Sequence, residues 1–352
     1  MLSDACNPMP ACSVRGCRHS QPPVGSKVLH EMFKKYNDTW LVELLFDDLY
    51  DWNKWFVAER TLAPLNITCL GSIEGNMQDA RYESGLDNSP MYDVPGCSNG
   101  TCGPWQCGTT LDGSETCGNF KDDKMQLYDV GMASMHTMDS AALAALATAI
   151  GRHSEAAILQ AQADTMAKAI NDHLWDEQSK IFVNRVPDGD FYRRISPTSF
   201  YALQTNGPTD ARADMMATQW LMNPDRFCVS PKGDFSGNSD ACYWGLPSIA
   251  ASDPAFKGLG YWRGYVWGPM AQLTFWGLQN YDHVPSVRAG RKALASQMTQ
   301  LMHHEWDSNG HICENYYPAK HNVASGCSPG AMHMYHWGAL NGFISLLEEG
   351  YY

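Results

Sequence analysis

The chain has 352 residues, 44% of them hydrophobic and 18% charged, enough to bury a large core. Its formal net charge of -13 argues against nucleic acid or an anionic membrane surface as partner. No apolar run approaches the roughly 18 residues that a membrane-spanning helix needs.

Residues 1–25 read as an irregular arm containing Pro and Cys, and residues 26–352 as one folded domain. A short helix is predicted over 26–35. A longer one follows over 39–59, where Leu41, Leu44, Leu45, Leu49, Trp52, Trp55 and Phe56 share a face and Thr39 serves as N-cap. Residues 61–123 hold few regular elements, and a stretch of that length carries function rather than filling space. Helices resume over 130–150, with Asp129 as a cap, and over 154–175. In the second, Leu159, Ala163, Met166, Ala167, Ile170 and Leu174 recur every three or four positions. Pro208 suits the first turn of a helix bearing Ala213, Met216, Ala217 and Trp220. Three more are predicted over 265–280, 285–305 and 332–348, the last carrying His333 and His336. The loops at 176–198, 223–262 and 306–330 are rich in Gly, Pro, Trp and Tyr. Helical pairs alternating with aromatic loops, without a run of strands, predict an all-α array of antiparallel hairpins.

The chain has 12 cysteines, and Cys97, Cys102, Cys107 and Cys117 fall in one insertion, 94–120. Sequons stand at Asn37, Asn66 and Asn99. Cysteine-dense loops with sequons predict disulfides and a secretory or extracellular location, although residues 1–20 lack the apolar core of a signal peptide. The spacings fit paired zinc ligands poorly, so neither metal nor cofactor is expected. His303-His304-Glu305 looks metal-like, but neighbours on a helix do not share a face.

Three stretches carry chemistry. Arg81–Asp93 is a polar segment with Gly85 and Pro90 interrupting any helix; it is read as a loop presenting Asp87, with Glu83 and Asn88 beside it. The plain alternative for Asp87 is an Asx-turn. Gly260–Trp267 offers Tyr261, Trp262 and Trp267 as flat faces and Arg263 as a fixed cation, a surface suited to sugar rings or, equally, a core cluster. His311–Pro318 presents Glu314 before an aromatic pair. Two carboxylates in aromatic loops are what glycoside hydrolysis needs: one acid for the leaving oxygen, one base for water. No Walker A, strand-linked GxGxxG or HExxH sequence points elsewhere.

ESGLDNSP at 83–90, YWRGxxW at 261–267 and ENY at 314–316, in that order, resemble glycoside hydrolase family 63. The resemblance implies an all-α (α/α)6 toroid and an inverting, exo-acting hydrolase of α-glucosides or α-mannosides. It matches Asp87 to the general acid and Glu314 to the general base. Tyr261, Trp262, Arg263 and Trp267 match the pocket around the sugar, while Glu83 is read as a supporting residue or a partner of a sugar hydroxyl. An inverting pair is expected roughly 6.5–9.5 Å apart. The early aromatic-Asp motif of that family is not found before Pro22, and about nine helices are predicted where the toroid has twelve. The expected fold is therefore a toroid incomplete at its N-terminus, with the Cys-rich insertion as a lid. An oligosaccharide or small glycoside is the expected partner; the alternatives are a catalytically impaired sugar-binding protein and a structural or zinc-dependent cysteine-rich protein.

Overall fold

The computed structural model describes residues 20–72, 75, 77–93, 106–109, 115–118, 120–187, 189–231, 244–318 and 326–351. The arm before residue 20, Cys97, Cys102, Asn99 and most of the insertion lie outside them. The chain forms two compact units, one of residues 1–174 with 184–192, the other of 175–183 with 193–352. Among the described residues no helix is long and apolar enough to cross a membrane.

The first unit is organised around α4 (Val130–Ala149), whose Ala- and Met-rich sequence buries residues on every side. A helix apolar all round must be enclosed. The helices α1 (Gly25–Tyr36), α2 (Thr39–Glu59) and α5 (His153–His173) pack against it. Leu29, Val42, Phe46, Leu143, Leu146 and Leu159 form the apolar cluster among them. Each such side chain fully removed from water stabilises the fold by about 2 kcal/mol. Thr39 opens α2, but the cap position is Asp38, without a side-chain bond to the helix. Asp129 caps α4 as expected, its Oδ1 accepting from Met132 N–H at 2.7 Å.

The predicted 61–123 loop is more structured than its composition suggests. It contains the two-residue hairpin β1 (Thr61–Leu62) with β2 (Ile67–Thr68), and an eight-residue helix, α3 (Met77–Ser84). Within the insertion β3 (Gln106–Thr109) pairs antiparallel with β4 (Glu115–Gly118), placing Cys107 opposite Cys117 in register. A further hairpin joins β5 (Phe120–Lys121) to β6 (Lys124–Met125). After α5 come β7 (Trp175–Asp176), β8 (Ile181–Phe182), β9 (Asn184–Arg185) and β10 (Phe191–Tyr192), paired β7–β8 and β9–β10.

In the second unit a 3-10 helix, Pro197–Thr205, occupies a stretch with no predicted element. The helix expected at Pro208 starts later: α6 (Asp210–Met216) is capped by Thr209, and it ends in a π turn over Ala217–Leu221. The predicted 265–280 helix begins only at Gly268, as α7 (Gly268–Gln279), because Val266 is committed to strand-like pairing. Gly268 is required there, since a Cβ would lie 2.0 Å from the Trp337 carbonyl. The helix predicted over 285–305 runs on as α8 (Pro285–Asn309), stopped by Gly310 in the left-handed conformation that glycine accepts. The last helix, α9 (His336–Glu348), starts four residues late, so His333 is not helical. Its backbone instead pairs with Cys313.

Candidate active site

In the first unit, the segment read as a loop from Arg81 is the last turn of α3 followed by a tight turn. Gly85 has φ of +71°, and Leu86 N–H bonds back to the Arg81 carbonyl at 3.2 Å, which ends the helix and throws out Leu86-Asp87-Asn88. Gln78 Nε2 donates to the Asp87 carbonyl at 2.6 Å, and Ser89 caps the 3-10 turn Pro90–Tyr92. Arg81 pairs with Asp93 at 2.7 Å, and Tyr92 donates its hydroxyl to Asp129 Oδ2 at 2.8 Å. The turn is thus tied to the start of α4. Asp87 and Asn88 sit half-buried on it. Burial pushes the Asp129 carboxyl above the usual range, and burial plus the Asp129 charge push Tyr92 up as well.

Glu83 corrects one expectation. Its side chain is fully enclosed, paired with Arg60 Nε at 2.8 Å, and its two oxygens also accept from Gly71 N–H at 2.6 Å and Ser20 N–H at 3.1 Å. A carboxylate so enclosed meets no sugar hydroxyl; it braces the helix that carries Asp87. A cavity of about 490 Å³ in this unit is lined by Val57, Leu65, His136, Gln162 and Met166 among others, and none of the predicted site residues lines it.

In the second unit the other two motifs are joined directly. Val266 and Tyr316 exchange both backbone hydrogen bonds at 2.9 Å, a two-residue antiparallel bridge between the YWRG and ENY segments. Glu314 N–H donates to the Met332 carbonyl at 2.8 Å, and Met332 N–H reaches Glu314 Oε2 at 3.3 Å. On its other oxygen, Glu314 accepts from the Tyr261 hydroxyl at 3.4 Å. Tyr261 itself holds a left-handed backbone, φ +55°, uncommon for a bulky residue and imposed here by the Gly260–Arg263 turn. A disulfide, Cys313–Cys327, closes the segment immediately before Glu314. Gly338, whose Cβ would meet the Cys313 carbonyl at 2.1 Å, lets α9 approach that strand. Asn315 is buried and accepts from the Ser328 hydroxyl. Burial pushes the Tyr316 phenol up to about 12.

The aromatic residues divide. Trp262 and Trp267 are 2% and 0% exposed and stacked on one another, centroids 3.7 Å apart and planes 7° from parallel. Of the two readings their composition allows, a sugar platform or a core cluster, burial and stacking give the core cluster rather than the pocket position that the resemblance implies. Trp267 supports Tyr261 by donating Nε1–H to its carbonyl at 3.2 Å. Half-buried Tyr261 and half-buried Trp337 are the members of this cluster that keep surface open. Trp337 escaped the sequence reading because nothing in its local pattern separates it from the other residues of α9. Arg263 is half-buried in the same turn.

A family model for the mannosylglycerate hydrolase MGH1-like glycoside hydrolase domain matches residues 10–337. Comparison with curated proteins finds no match. Among solved structures, the GH63 mannosylglycerate hydrolase from Thermus thermophilus in complex with glucose is similar at 18% identity, covering 93% of this chain and 75% of that one, with a TM-score of 0.64. The same hydrolase in complex with Tris and D-glycerate is similar at 17% identity, covering 93% of this chain and 78% of that one, also at 0.64. Neutral trehalase Nth1 from Saccharomyces cerevisiae matches at 15% identity over 94% of this chain and 62% of that one, with a TM-score of 0.56. Likeness at this level of identity establishes the fold, the (α/α)6 type of these proteins.

Proposed function

The chain belongs to the mannosylglycerate hydrolase MGH1-like glycoside hydrolases, and we propose that it is an inverting, exo-acting hydrolase of a small α-glucoside or α-mannoside. Asp87 acts as general acid, delivering its proton to the leaving glycosidic oxygen. Glu314 acts as general base, taking a proton from the water that attacks the anomeric carbon from the opposite face. The carrying observation is the setting of Glu314: a carboxylate fixed by the Tyr261 hydroxyl and a backbone N–H, on a hairpin bonded to the YWRG segment. A base that must not wander from its water gains from such anchoring. The glucose and D-glycerate held by the similar hydrolases support a small glycoside rather than a long polysaccharide. Tyr261 and Trp337 supply the apolar faces on which a sugar ring packs, and Arg263 and Asn88 bind hydroxyls or an acidic aglycone.

The deciding experiment is NMR of the first sugar released from α-glucosyl and α-mannosyl glycerate. Release of the β-anomer supports the reading. Release of the α-anomer, or undiminished turnover in both Asp87→Asn and Glu314→Gln, overturns it.

A secretory location belongs to the same proposal. Asn37 and Asn66 are exposed sequon asparagines in left-handed turn positions, φ 54° and 53°, and Cys228, Cys313 and Cys327 are disulfide-bonded. Expression through a secretory host and glycosidase treatment of the product check it; an unglycosylated product at both positions counts against it.

A further inference from the structure

Behind the Glu314 hairpin lies a second group of side chains that hydrolysis does not use. Glu305 sits on the last turns of α8, His311 follows the Gly310 stop, and Cys313 and Cys327 form the disulfide beside them. One ligand-type atom from each of the four lies within 4.8 Å of all the others. Glu305 is 2% exposed; its Oε1 accepts from His311 Nε2 at 2.8 Å and from Asn309 Nδ2 at 2.9 Å, while Cys327 Sγ lies 3.8 Å away. Its Oε2 is buried with no hydrogen-bond partner. An orphan carboxylate oxygen in the interior is costly and calls for an explanation. Gly326 makes room for it, since a Cβ there would stand 2.8 Å from Oε2.

We propose that Glu305, His311, Cys313 and Cys327 form a redox-gated site for a thiophilic divalent cation, zinc, which opens when the Cys313–Cys327 disulfide is reduced. Two sulfurs, one imidazole and one carboxylate make the four-coordinate set of a closed structural zinc site. Bond lengths of about 2.0–2.3 Å put tetrahedral ligand atoms roughly 3.3–3.8 Å apart. The cluster, with ligand atoms within 4.8 Å of one another, must draw in slightly, while the two sulfurs, bonded to each other in the disulfide, separate once it is reduced. The gate follows from chemistry: disulfide sulfurs are not thiolates and do not hold zinc. A dithiol reductant supplies two electrons and two protons, opening the S–S bond to two thiols and closing into its own disulfide. Zinc then displaces both thiol protons. His311 moves its ring proton to Nδ1 and offers Nε2, giving up its bond to Glu305, and the carboxylate turns to the metal. All four ligands belong to one unit. The cation would sit one residue from Glu314, replacing the disulfide as the brace of that hairpin.

The full chain, reduced with a phosphine under anaerobic conditions, is to be mixed with zinc(II) or cobalt(II), and its cysteines alkylated and mapped residue by residue. The expected result is protection of Cys313 and Cys327 from alkylation by zinc at least about tenfold, with cobalt showing the ligand-field bands of a tetrahedral thiolate site. His311→Ala and Glu305→Gln should each weaken binding by about tenfold or more. The unreduced chain should bind no zinc at this pair. Equal alkylation of Cys313 and Cys327 with and without zinc overturns the proposal. So does cobalt uptake by Cys313→Ser/Cys327→Ser that matches the unaltered chain, since the metal would then reside on other cysteines. Metal uptake is read independently of hydrolysis, so its failure and the failure of the catalytic assignment are separate results.

Discussion

The Tyr261 hydroxyl lies 3.4 Å from Glu314 Oε1, and the indole of Trp267 holds the Tyr261 backbone from behind at 3.2 Å. A tyrosine in a left-handed conformation, supported by a fully buried tryptophan, is an expensive way to place one hydroxyl unless that hydroxyl matters. Tyr261→Phe should keep the ring and its packing and lose only the donor. A hydrogen bond to a charged group is worth about 1.5–3 kcal/mol, and this one is long, so kcat/KM should fall by about tenfold. Melting temperature should barely move. Unchanged kinetics with lowered stability would assign Tyr261 to packing alone.

The two carboxylates should separate by leaving group. Asp87→Asn removes the proton donor, which matters only when the departing oxygen needs one. Against an ordinary alkyl glycoside its turnover should drop by roughly 10²–10⁴-fold. Against a glycosyl fluoride, whose leaving group departs as an anion, much of that loss should vanish. Glu314→Gln should be equally slow on both, because water still has to be deprotonated. Steady-state rates on the paired substrates check this; the reverse pattern would exchange the two roles.

What the sequence carried was local. Asp129 before the Ala-rich run of α4 and the apolar spacing of α5 could both be read from neighbours in the chain. What it did not carry was long-range. Met332–Met334 continues the apolar spacing of α9 but is kept out of the helix by backbone pairing with Ile312–Glu314 and by the left-handed turn at Met334, φ +56°, a bond pattern set 18 or more residues away. Trp262 and Trp267 have the composition of a sugar platform, and only packing reveals that they stack on each other in the core. Glu83 shares a helix turn with the acid loop, yet its partner is Arg60, 23 positions earlier. The Cys313–Cys327 pairing likewise could not be chosen among 12 cysteines by spacing.

The Arg60–Glu83 pair makes the corrected role of Glu83 measurable. Both side chains are within 1% of full burial, and Arg60 also lies over the Trp55 ring at 4.6 Å. Glu83→Gln would strand a buried guanidinium and cost about 3–5 kcal/mol of stability, whereas Glu83→Gln with Arg60→Met should recover a large part. Catalysis per folded molecule should change little in either. Urea unfolding and active-site-normalised kinetics check the two halves; a rise in KM without loss of stability would return Glu83 to the sugar.

His136 gives the stability of the first unit a defined pH dependence. The ring is buried in α4 against Phe56, with Nδ1 3.0 Å from Thr68 Oγ1 and Nε2 3.0 Å from Gln162 Nε2. The amide nitrogen can only donate, so Nε2 accepts and Nδ1 carries the proton toward Thr68, the neutral tautomer that this geometry assigns. Burial lowers its pKa from 6.5 to about 4. Between those values the unfolded chain takes up a proton that the folded chain refuses, so stability is lost as pH falls from 6.5 toward 4, by about 3 kcal/mol in all. Asp129 and Asp139, raised by burial, act in the opposite sense: the folded chain gains protons first as pH falls, which stabilises it. The contribution of the histidine is therefore isolated by comparison with His136→Gln, which keeps an acceptor but cannot titrate. At pH 7 that variant should be the less stable, having lost part of the ring packing. The gap should then shrink by about 3 kcal/mol on going to pH 4, followed by urea unfolding across the range. A gap that stays constant would mean that the imidazole finds a way to be charged inside the fold.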